Sequence, residues 1–318
     1  MSDTTGKTIN ILFLGGAKRV SVGRKIIEAG KSLGVKINIF SYELSLEVPI
    51  AAIGRVVVGA KWSDPDILKN LHACIERNSI DIILPFVDPA IEVAGRYADL
   101  YNDVWAPVVS PEKASILFDK DASARYYASE SLPIPATYRG GRPVFPLIAK
   151  PRHGSASRGI MVVRDVTDFR RVLRMPDYMM EQYIENHKEY TVDAYISMTG
   201  EIQCVSPRLR IEVLGGEVTR SVTVDYPELK LMATDVIRKA RLVGPVTLQF
   251  IRDTDTGQLM LMEINPRLGG GVVCSIHAGA NIPEMMLRDF LALPQNPAPD
   301  IKPGVLICRY FDETVFNA

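Results

Sequence analysis

Three oxygen-bearing side chains toward the end of the chain have a spacing that suits a metal ion. Gln249 lies in one segment with strand-like alternation, Glu263 and Asn265 lie in another, and the turn sequence Asp-Thr-Asp-Thr-Gly separates them. If the hairpin is symmetric about Thr256, Gln249 and Glu263 face each other with Cβ atoms roughly 5 Å apart. Asn265 follows two residues later on the same face. One carboxylate and two amide oxygens are hard ligands, which suit a Mg²⁺ ion that also holds nucleotide phosphates.

The same alternation predicts that the other face of this hairpin is apolar. We expect that face to contain Leu248, Phe250, Met260, Met262 and Ile264. A half-buried hairpin with an ordinary solvated face is the competing interpretation of a lone Glu-x-Asn. That interpretation must also account for Arg267 and the glycines at 269–271, which follow directly.

A second group of polar residues lies upstream, around a loop of small residues. Lys120 lies at the beginning of a segment predicted as a helix that Pro133 and Pro135 end, and Lys150 ends an apolar strand. The sequence Arg-His-Gly-Ser-Ala-Ser-Arg-Gly follows, and small residues let backbone N–H groups approach phosphate oxygens closely. The P-loop pattern is absent. An exposed hairpin loop has the same composition, so the loop alone does not decide between the two interpretations.

Length, composition and charge exclude several classes of protein. The 318 residues suffice for two domains, and 37 basic residues balance 37 acidic ones, so no global field attracts nucleic acid or anionic membranes. No window approaches the roughly 20 apolar residues of a spanning helix. The polar N-terminus and the four scattered cysteines predict a cytoplasmic protein with reduced thiols.

The first 110 or so residues alternate strand and helix, which predicts a parallel sheet covered on both faces. Ligands of such sheets bind at the carboxyl ends of the strands, so Gly15 and Gly16 are candidate substrate contacts, with Ala17, Glu43 and residues 86–88 beside them. Ordinary turn and capping chemistry is the competing explanation, and Asp88 before a proline is a typical helix N-cap. The glycine pattern is not Gly-x-Gly-x-x-Gly, which disfavours an NAD(P)-binding oxidoreductase.

A long hairpin is predicted between residues 201 and 224, with its turn at Gly215-Gly216. Arg208 and Arg210 lie on one face, and Arg220 lies on the returning strand. Arginines that face a phosphoryl-transfer site would hold an acidic substrate or the transferred group. A solvated face crossed by salt bridges explains each arginine taken alone equally well.

Taken in order, these motifs resemble those of the ATP-grasp enzymes, most closely the branch of the carbamoyl phosphate synthetase large subunit. That branch uses Gln, Glu and Asn as metal ligands. The resemblance implies an α/β fold with a Rossmann-like pre-ATP-grasp domain at residues 1–110. A two-lobed ATP-grasp domain would follow at residues 111–318, with a mobile lid lobe at about 136–184.

The resemblance also implies a role for each residue. Gln249, Glu263 and Asn265 would hold the metal, and Asn265 and Arg267 would be catalytic. ATP would be bound by two lysines and the loop, namely Lys120, Lys150, His153, Gly154, Ser155 and Ser157. The adenine edge would contact the hinge strand, formed by Glu181, Gln182, Tyr183 and Ile184. Glu189 matches the acceptor for the ribose hydroxyls, and either Glu181 or Gln182 aligns with the residue that contacts the base.

The implied function is that of a Mg²⁺-dependent, ATP-dependent carboxylate–amine ligase, with Mn²⁺ as the expected substitute metal. A small-molecule carboxylate would be activated as an acyl phosphate and attacked by an amine. One short chain lacks the second half and the glutamine-handling partner of the full synthetase, so a stand-alone ligase is the better prediction. A homodimer is the default assembly. A nucleotide-binding regulatory module without catalysis stays open as an alternative.

Overall fold

The computed structural model of the chain describes residues 6–154 and 158–316. Over these residues the fold is mixed α/β, with a four-stranded, a six-stranded and a three-stranded sheet. Among the helices of this part of the chain, none combines the length and the apolar character needed to cross a membrane.

The N-terminal sheet is parallel throughout, and its strands follow the spatial order β3-β2-β1-β4. Both faces of its central strand β1 are buried, since Leu12 and Leu14 belong to one core and Ile11 and Phe13 to another. The predicted alternation of strand and helix is therefore confirmed for this part of the chain. The strands are β1 (Thr8–Leu14), β2 (Lys36–Glu43), β3 (Arg55–Val58) and β4 (Ile82–Pro85), and the helices are α1 (Val20–Ser32), α2 (Ile67–Asn78) and α3 (Asp88–Leu100), with a 3₁₀ turn at Pro49–Ala52.

The start of α3 differs from the prediction. Val87 is the N-cap and Asp88 is the first helical residue, so the prediction of Asp88 as a capping residue is wrong. Pro89 fits because the second helical position has no intrahelical partner for an N–H group. The Asp88 carboxylate is thereby free to bind Arg267 of the C-terminal part of the chain.

Helices α4 (Pro111–Phe118) and α5 (Lys120–Ser129) lead into a small antiparallel sheet of order β6-β5-β7. It consists of β5 (Leu147–Pro151), β6 (Met161–Val163) and β7 (Tyr178–Gln182), and α6 (Val166–Val172) covers it. This sheet has an apolar core of its own, formed by Leu147, Ala149, Val163, Phe169, Val172 and Met180. A separate small core is what a lobe that packs as its own unit requires.

The six-stranded sheet has the order β12-β11-β8-β9-β10-β13, and all of its neighbouring strands are antiparallel. Its apolar residues share one core with one face of the N-terminal sheet, so Leu14 and Leu248 belong to the same buried cluster. The strands are β8 (His187–Ile196), β9 (Ile202–Leu214), β10 (Glu217–Thr223), β11 (Gly244–Asp253), β12 (Leu259–Asn265) and β13 (Leu306–Cys308), and the helices of this part are α7 (Pro227–Lys239), α8 (Val272–His277) and α9 (Ile282–Phe290).

Candidate functional site

A cleft of about 850 Å³ is lined by residues of the three-stranded sheet and of the six-stranded sheet. Its size falls in the range of small-molecule sites, roughly 300–1,000 Å³. Part of the lining is apolar and includes Ile134, Ile148, Met179, Ile184, Ile251, Leu261 and Met262. The rest is charged and includes Lys120, Lys150, Glu181, Glu189, Arg210 and Glu263. Such a lining suits a ligand with one flat apolar end and one charged end.

The hairpin of β11 and β12 forms one wall of this cleft. Gln249 pairs directly with Glu263, and Thr247 pairs with Asn265, so the predicted register is confirmed at the polar end. The pairs next to the turn are offset by one residue from a hairpin symmetric about Thr256, since Arg252 pairs with Leu259, and a one-residue bulge restores the predicted pairing at Gln249. The predicted pair of Gln249 and Glu263 is confirmed, although the hairpin is not symmetric throughout.

The prediction is wrong for the two methionines of this hairpin. Beyond Gln249 the register shifts by one residue, so that Phe250 pairs with Leu261 and Met262 is the extra residue. Such a β-bulge shifts the alternation of side chains by one residue, so the following side chains of the strand point to the opposite faces of the sheet. Met260 and Met262 consequently pack in a small cluster with Ile184 and Ile251 instead of joining the main core.

The three predicted metal ligands have different surroundings. Gln249 Oε1 accepts a hydrogen bond from Arg210 Nη1 at 3.0 Å, and Asn265 Oδ1 accepts one from Arg267 Nη2 at 3.2 Å. The Glu263 carboxylate lines the cleft, and within the described residues it makes no hydrogen bond or ion pair. Asn265 borders a second, smaller cavity, which shares Glu263 with the cleft. Arginines therefore already occupy the two amide oxygens, and the Glu263 carboxylate supplies the negative charge that a cation needs.

Tyr127 of α5 is a residue of this site that the sequence did not reveal. Its hydroxyl accepts the N–H of Ile264 at 3.1 Å, which fixes α5 against β12. Burial, and then the nearby charge of Glu263, raise the pKa of the Tyr127 hydroxyl. The sequence could have indicated this residue, because Tyr127 lies two helical turns after Lys120 and therefore on the same face of the predicted helix.

Arg210 of β9 links two further strands at the cleft wall. Its Nη1 lies 3.0 Å from Glu189 Oε2 of β8, and the same atom donates to Gln249 of β11. Burial lowers the pKa of Arg210, and the charges of Glu189 and Glu263 partly offset this by raising it. The structure therefore brings together Glu189, Arg210 and Gln249, which the sequence placed on three separate strands.

Of the three arginines that the sequence placed toward one site, only Arg210 lines the cleft. Arg208 is 2% exposed, and its Nε donates to Asp193 Oδ2 at 2.7 Å. Ser275 donates to the same carboxylate oxygen at 2.7 Å, which completes a buried polar cluster. Arg220 is exposed on β10, opposite Glu212 and Cys308.

The hinge after β7 presents both side chains and backbone to the cleft. Glu181 pairs in register with Ile148 and forms an ion pair with Lys150, whereas the Gln182 side chain is exposed. The N–H of Gln182 donates to Ala136 at 2.8 Å and that of Tyr183 to Pro146 at 3.2 Å. The N–H of Ile184 has no acceptor within the described ranges, and it is available to a ligand.

Lys120 lies where α5 begins and contacts the loop that follows β5. Its Nζ donates to the carbonyl of Gly154 at 2.7 Å, and its N–H donates to the carbonyl of Arg152 at 2.9 Å. His153 is exposed and does not line the cleft; its Nε2 is 3.7 Å from Asp119 Oδ2. The predicted loop contacts Ser155 and Ser157 lie outside the described residues.

The turn after β1 is built by ordinary turn chemistry. Gly15 has φ +71° and lies so close to Val87 that a Cβ would be 2.7 Å from Val87 Cγ2. The Glu43 carboxylate accepts the N–H groups of Gly16 and Ala17; burial is the main cause that raises its pKa. Neither glycine lines the cleft. Asp88 makes the link to the candidate site instead, since its Oδ1 lies 2.7 Å from Arg267 Nε.

Comparison with solved structures identifies the fold. The chain superposes on N5-carboxyaminoimidazole synthetase from Staphylococcus aureus complexed with ADP with a TM-score of 0.74, at 16% identity, covering 94% of this chain and 81% of the other. Residues 174–310 match the family model described as "ATP-grasp in the biosynthetic pathway with Ter operon". The chain has an ATP-grasp fold. An L-amino acid ligase from Bacillus licheniformis has a TM-score of 0.70 at 18% identity, covering 93% of this chain and 77% of the ligase.

The chain also resembles longer curated proteins. It is 20% identical over 281 residues to the C-terminal section of the carbamoyl phosphate synthase large chain of Methanopyrus kandleri, covering 76% of this chain and 48% of that protein. The large chain of Bifidobacterium animalis subsp. lactis is 23% identical over 141 residues, which are 39% of this chain and 12% of that protein. The chain thus spans about half the length, or less, of these relatives.

Proposed function

We propose that this ATP-grasp chain is a Mg²⁺-dependent ligase that uses ATP to join a small carboxylic acid to an amine. The observation that carries the proposal is the pairing of Gln249 with Glu263 at the wall of a cleft that also contains Lys120 and Lys150. A carboxylate beside an amide oxygen, opposite two ammonium groups, matches the charges of a metal–triphosphate complex. The ligases among the structural relatives support the reaction class.

In this proposal the nucleotide lies along the cleft. The adenine ring occupies the apolar part, where Ile184 offers a free N–H and Glu181 a side-chain carboxylate. Glu189 accepts the ribose hydroxyls. Lys120 and Lys150 bind the phosphates, and both ammonium groups are already aimed into the cleft by acceptors that a phosphate would replace. The Gly154 loop would contribute backbone N–H groups.

Glu263 is the central metal ligand in this proposal, with Asn265 and Gln249 beside it. The donor chemistry fits Mg²⁺, which takes one or two carboxylates from the protein and other oxygens from the nucleotide. Both amide oxygens accept hydrogen bonds from arginines, which the ion would replace as the partner of each oxygen. When bound, the ion supplies neutralisation of phosphate charge.

Arg267 stabilises the reacting groups in the proposed reaction. A carboxylate oxygen of the acid attacks the γ-phosphorus of ATP, the bond to the β,γ-bridging oxygen breaks, and ADP leaves. The amine then attacks the carbonyl carbon of the acyl phosphate, inorganic phosphate leaves, and the amine loses a proton. Phosphoryl transfer needs charge stabilisation and in-line positioning more than a protein nucleophile, so none is assigned. Asp88 orients Arg267 through their ion pair.

The domain assignment belongs to the same proposal. Residues 1–110 would form the Rossmann-like pre-ATP-grasp domain and residues 111–318 the ATP-grasp domain. The separate core of the three-stranded sheet supports residues 136–184 as the lid lobe. The main core, shared between the N-terminal and six-stranded sheets, supports a fixed arrangement of those two units.

Replacement of Glu263 by Gln tests the proposed function. We expect Mg²⁺-dependent release of phosphate from ATP, in the presence of mixed acids and amines, to fall by at least about a hundredfold. Glu201→Gln removes an exposed carboxylate outside the cleft and should leave the rate unchanged. Wild-type rates in Glu263→Gln would refute the metal role. Tight ATP binding without turnover by the wild type would favour the non-catalytic regulatory module.

A further inference from the structure

Glu217, at the start of β10, binds two guanidinium groups from distant parts of the chain. Its Oε1 lies 3.0 Å from Arg19 Nη1, and its Oε2 lies 3.0 Å from Arg309 Nη1. Arg19 belongs to the turn after β1, and Arg309 directly follows β13. The Arg19 side chain is only 13% exposed, so its charge is held mostly away from water.

A third guanidinium, that of Arg267, belongs to the same neighbourhood. Burial lowers the pKa of Arg19, and the positive charges of Arg267 and Arg309 lower it further, against the opposing effect of Glu217. Arg267 has its own partner in Asp88. Glu217 is thus shared between two guanidinium groups, of which Arg19 is mostly shielded from water, while Asp88 binds the third. A guanidinium group has five N–H donors, so two of them that share one carboxylate keep donors for a second anion.

The surrounding backbone adds to the positive character of this region. Arg19 is the N-cap of α1; no side chain caps this helix, and its first turn contains no acidic residue, so its positive dipole end stays uncompensated. Gly270 lies against the cluster, and a Cβ there would be 2.1 Å from Glu217 Oε2 and 2.7 Å from Arg19 Nη1. Glycine at 270 thus allows Glu217 and Arg19 to approach the main chain that follows Arg267.

We infer that Arg19 and Arg309 bind a second anionic group of the acid substrate, while Arg267 faces the carboxylate that is activated. The inference rests on the proposed function, because it assumes that the acid lies beside Arg267. It assigns the substrate to the class of acids that carry an additional carboxylate or phosphate. Such an anion would share the two guanidinium groups with Glu217, as bidentate arginine recognition allows.

Matched acids test this inference in the presence of a saturating non-hydrolysable ATP analogue and Mg²⁺. Dissociation constants are measured for succinate, for its uncharged-amide analogue succinamate, and for phosphonoacetate. We expect the wild type to bind at least one of the two acids with a second anionic group about tenfold more tightly than succinamate. The tighter of succinate and phosphonoacetate identifies the second group. Equal affinity for all three acids, or no binding of any, would overturn the inference.

Variants separate a binding role from a structural one. Arg19→Gln should abolish the preference for the dianion and leave succinamate binding unchanged. Arg24→Gln, which removes an exposed arginine of the same helix, should keep the preference. Glu217→Gln should instead tighten binding of the preferred dianion, because it releases both guanidinium groups. A wild-type preference in Arg19→Gln, or weaker binding in Glu217→Gln, contradicts the inference.

Measurements of nucleotide binding test the proposed function separately from this inference. If calorimetry detects no binding of the ATP analogue by the wild type, the nucleotide site itself is wrong. If the analogue binds to the wild type and to Arg19→Gln with equal affinity, the acid experiment reports on the second anion site alone.

Discussion

Several charged side chains of the cleft bind one another. A ligand that binds one of them must replace its present partner. Lys150 and Glu181 are 12% and 13% exposed and neutralise each other, and Arg210 is held by Glu189 and Gln249. These pairs keep the ammonium and guanidinium groups from folding back onto other acceptors. A nucleotide that enters the cleft therefore meets cations already oriented by the protein, which lowers the ordering cost of binding.

Lys150→Met tests whether an oriented ammonium group of the cleft contributes to nucleotide binding. We expect the dissociation constant for ATP, measured by calorimetry, to rise about tenfold to a hundredfold, because a hydrogen bond to a charged group is lost. Lys188→Met provides a comparison, because Lys188 also lines the cleft but on β8. An ATP affinity equal to that of the wild type would remove Lys150 from the nucleotide site.

The buried pair of Arg208 and Asp193 has a structural consequence. Their side chains are 3% and 0% exposed, and Asp193 also accepts from Ser275. Asp193→Ala leaves the Arg208 guanidinium buried without its counter-charge, and we expect the free energy of unfolding to fall by roughly 3–5 kcal/mol. Urea denaturation measures this loss. A loss similar to that of the exposed variant Asp255→Ala would show that Arg208 finds another partner.

At the scale of elements, the junction of α4 and α5 organises the end of the cleft where we propose that phosphates bind. Asp119 accepts the N–H groups of Asp121 and Ala122 and so caps α5 at the residue before Lys120. The same carboxylate forms an ion pair with Arg152, at the base of the loop after β5. One side chain thereby fixes both the helix that carries Lys120 and the strand end that carries the loop.

The loss of stability caused by Asp119→Asn should depend on pH. Burial by itself would raise the pKa of Asp119, but hydrogen bonds from Arg152 and from the backbone outweigh it, and the pKa lies below the ordinary value of 3.8. A lowered folded-state pKa stabilises the fold above the unfolded-state value, and this contribution is lost as the pH falls through the folded value.

We therefore expect Asp119→Asn to lower the melting temperature near neutral pH, and the difference from wild type to shrink as the pH falls below the ordinary value of 3.8. The variant should also bind ATP more weakly, because Lys120 and the loop lose a shared anchor. Melting curves across this pH range and calorimetry at neutral pH measure both effects. A melting difference that is constant with pH would rule out the ionised carboxylate as its cause.

For the whole molecule, the N-terminal and six-stranded sheets share one core, while the three-stranded sheet has its own. Residues of the three-stranded and six-stranded sheets line the cleft, so a ligand that bridges these sheets couples their stabilities. Binding to the folded state alone raises stability by about 2.7 kcal/mol at a ligand concentration one hundred times the dissociation constant.

ATP with Mg²⁺ should consequently raise the melting temperature, and NADH should not. Chelation of Mg²⁺ by EDTA should remove most of the shift, because the proposed site binds a metal–nucleotide complex. Differential scanning fluorimetry at matched nucleotide concentrations makes the comparison. A shift produced by NADH and absent with ATP would support the oxidoreductase alternative.

Patterns that are local in sequence were sufficient for much of the fold. Period-two alternation around a five-residue turn predicted the pairing of Gln249 with Glu263, and two prolines limited the helix at Lys120, which ends before Pro133. These features follow from hydrogen-bond geometry within one hairpin or one helix, which neighbouring residues determine. The resemblance to ATP-grasp enzymes came from the order of such local motifs along the chain.

Only the tertiary structure determines the features that depend on contacts between segments distant in sequence. The bulge at Met262 inverts half a strand, and nothing in the alternation of residues signals it. Arg208 and Arg210 have the same chemistry and lie two residues apart. Arg208 nevertheless binds the buried Asp193, whereas Arg210 lines the cleft. The cluster of Arg19, Glu217 and Arg309 joins residues almost three hundred positions apart in sequence. Charges pair through space, and only the packed sheets determine which carboxylate each arginine reaches.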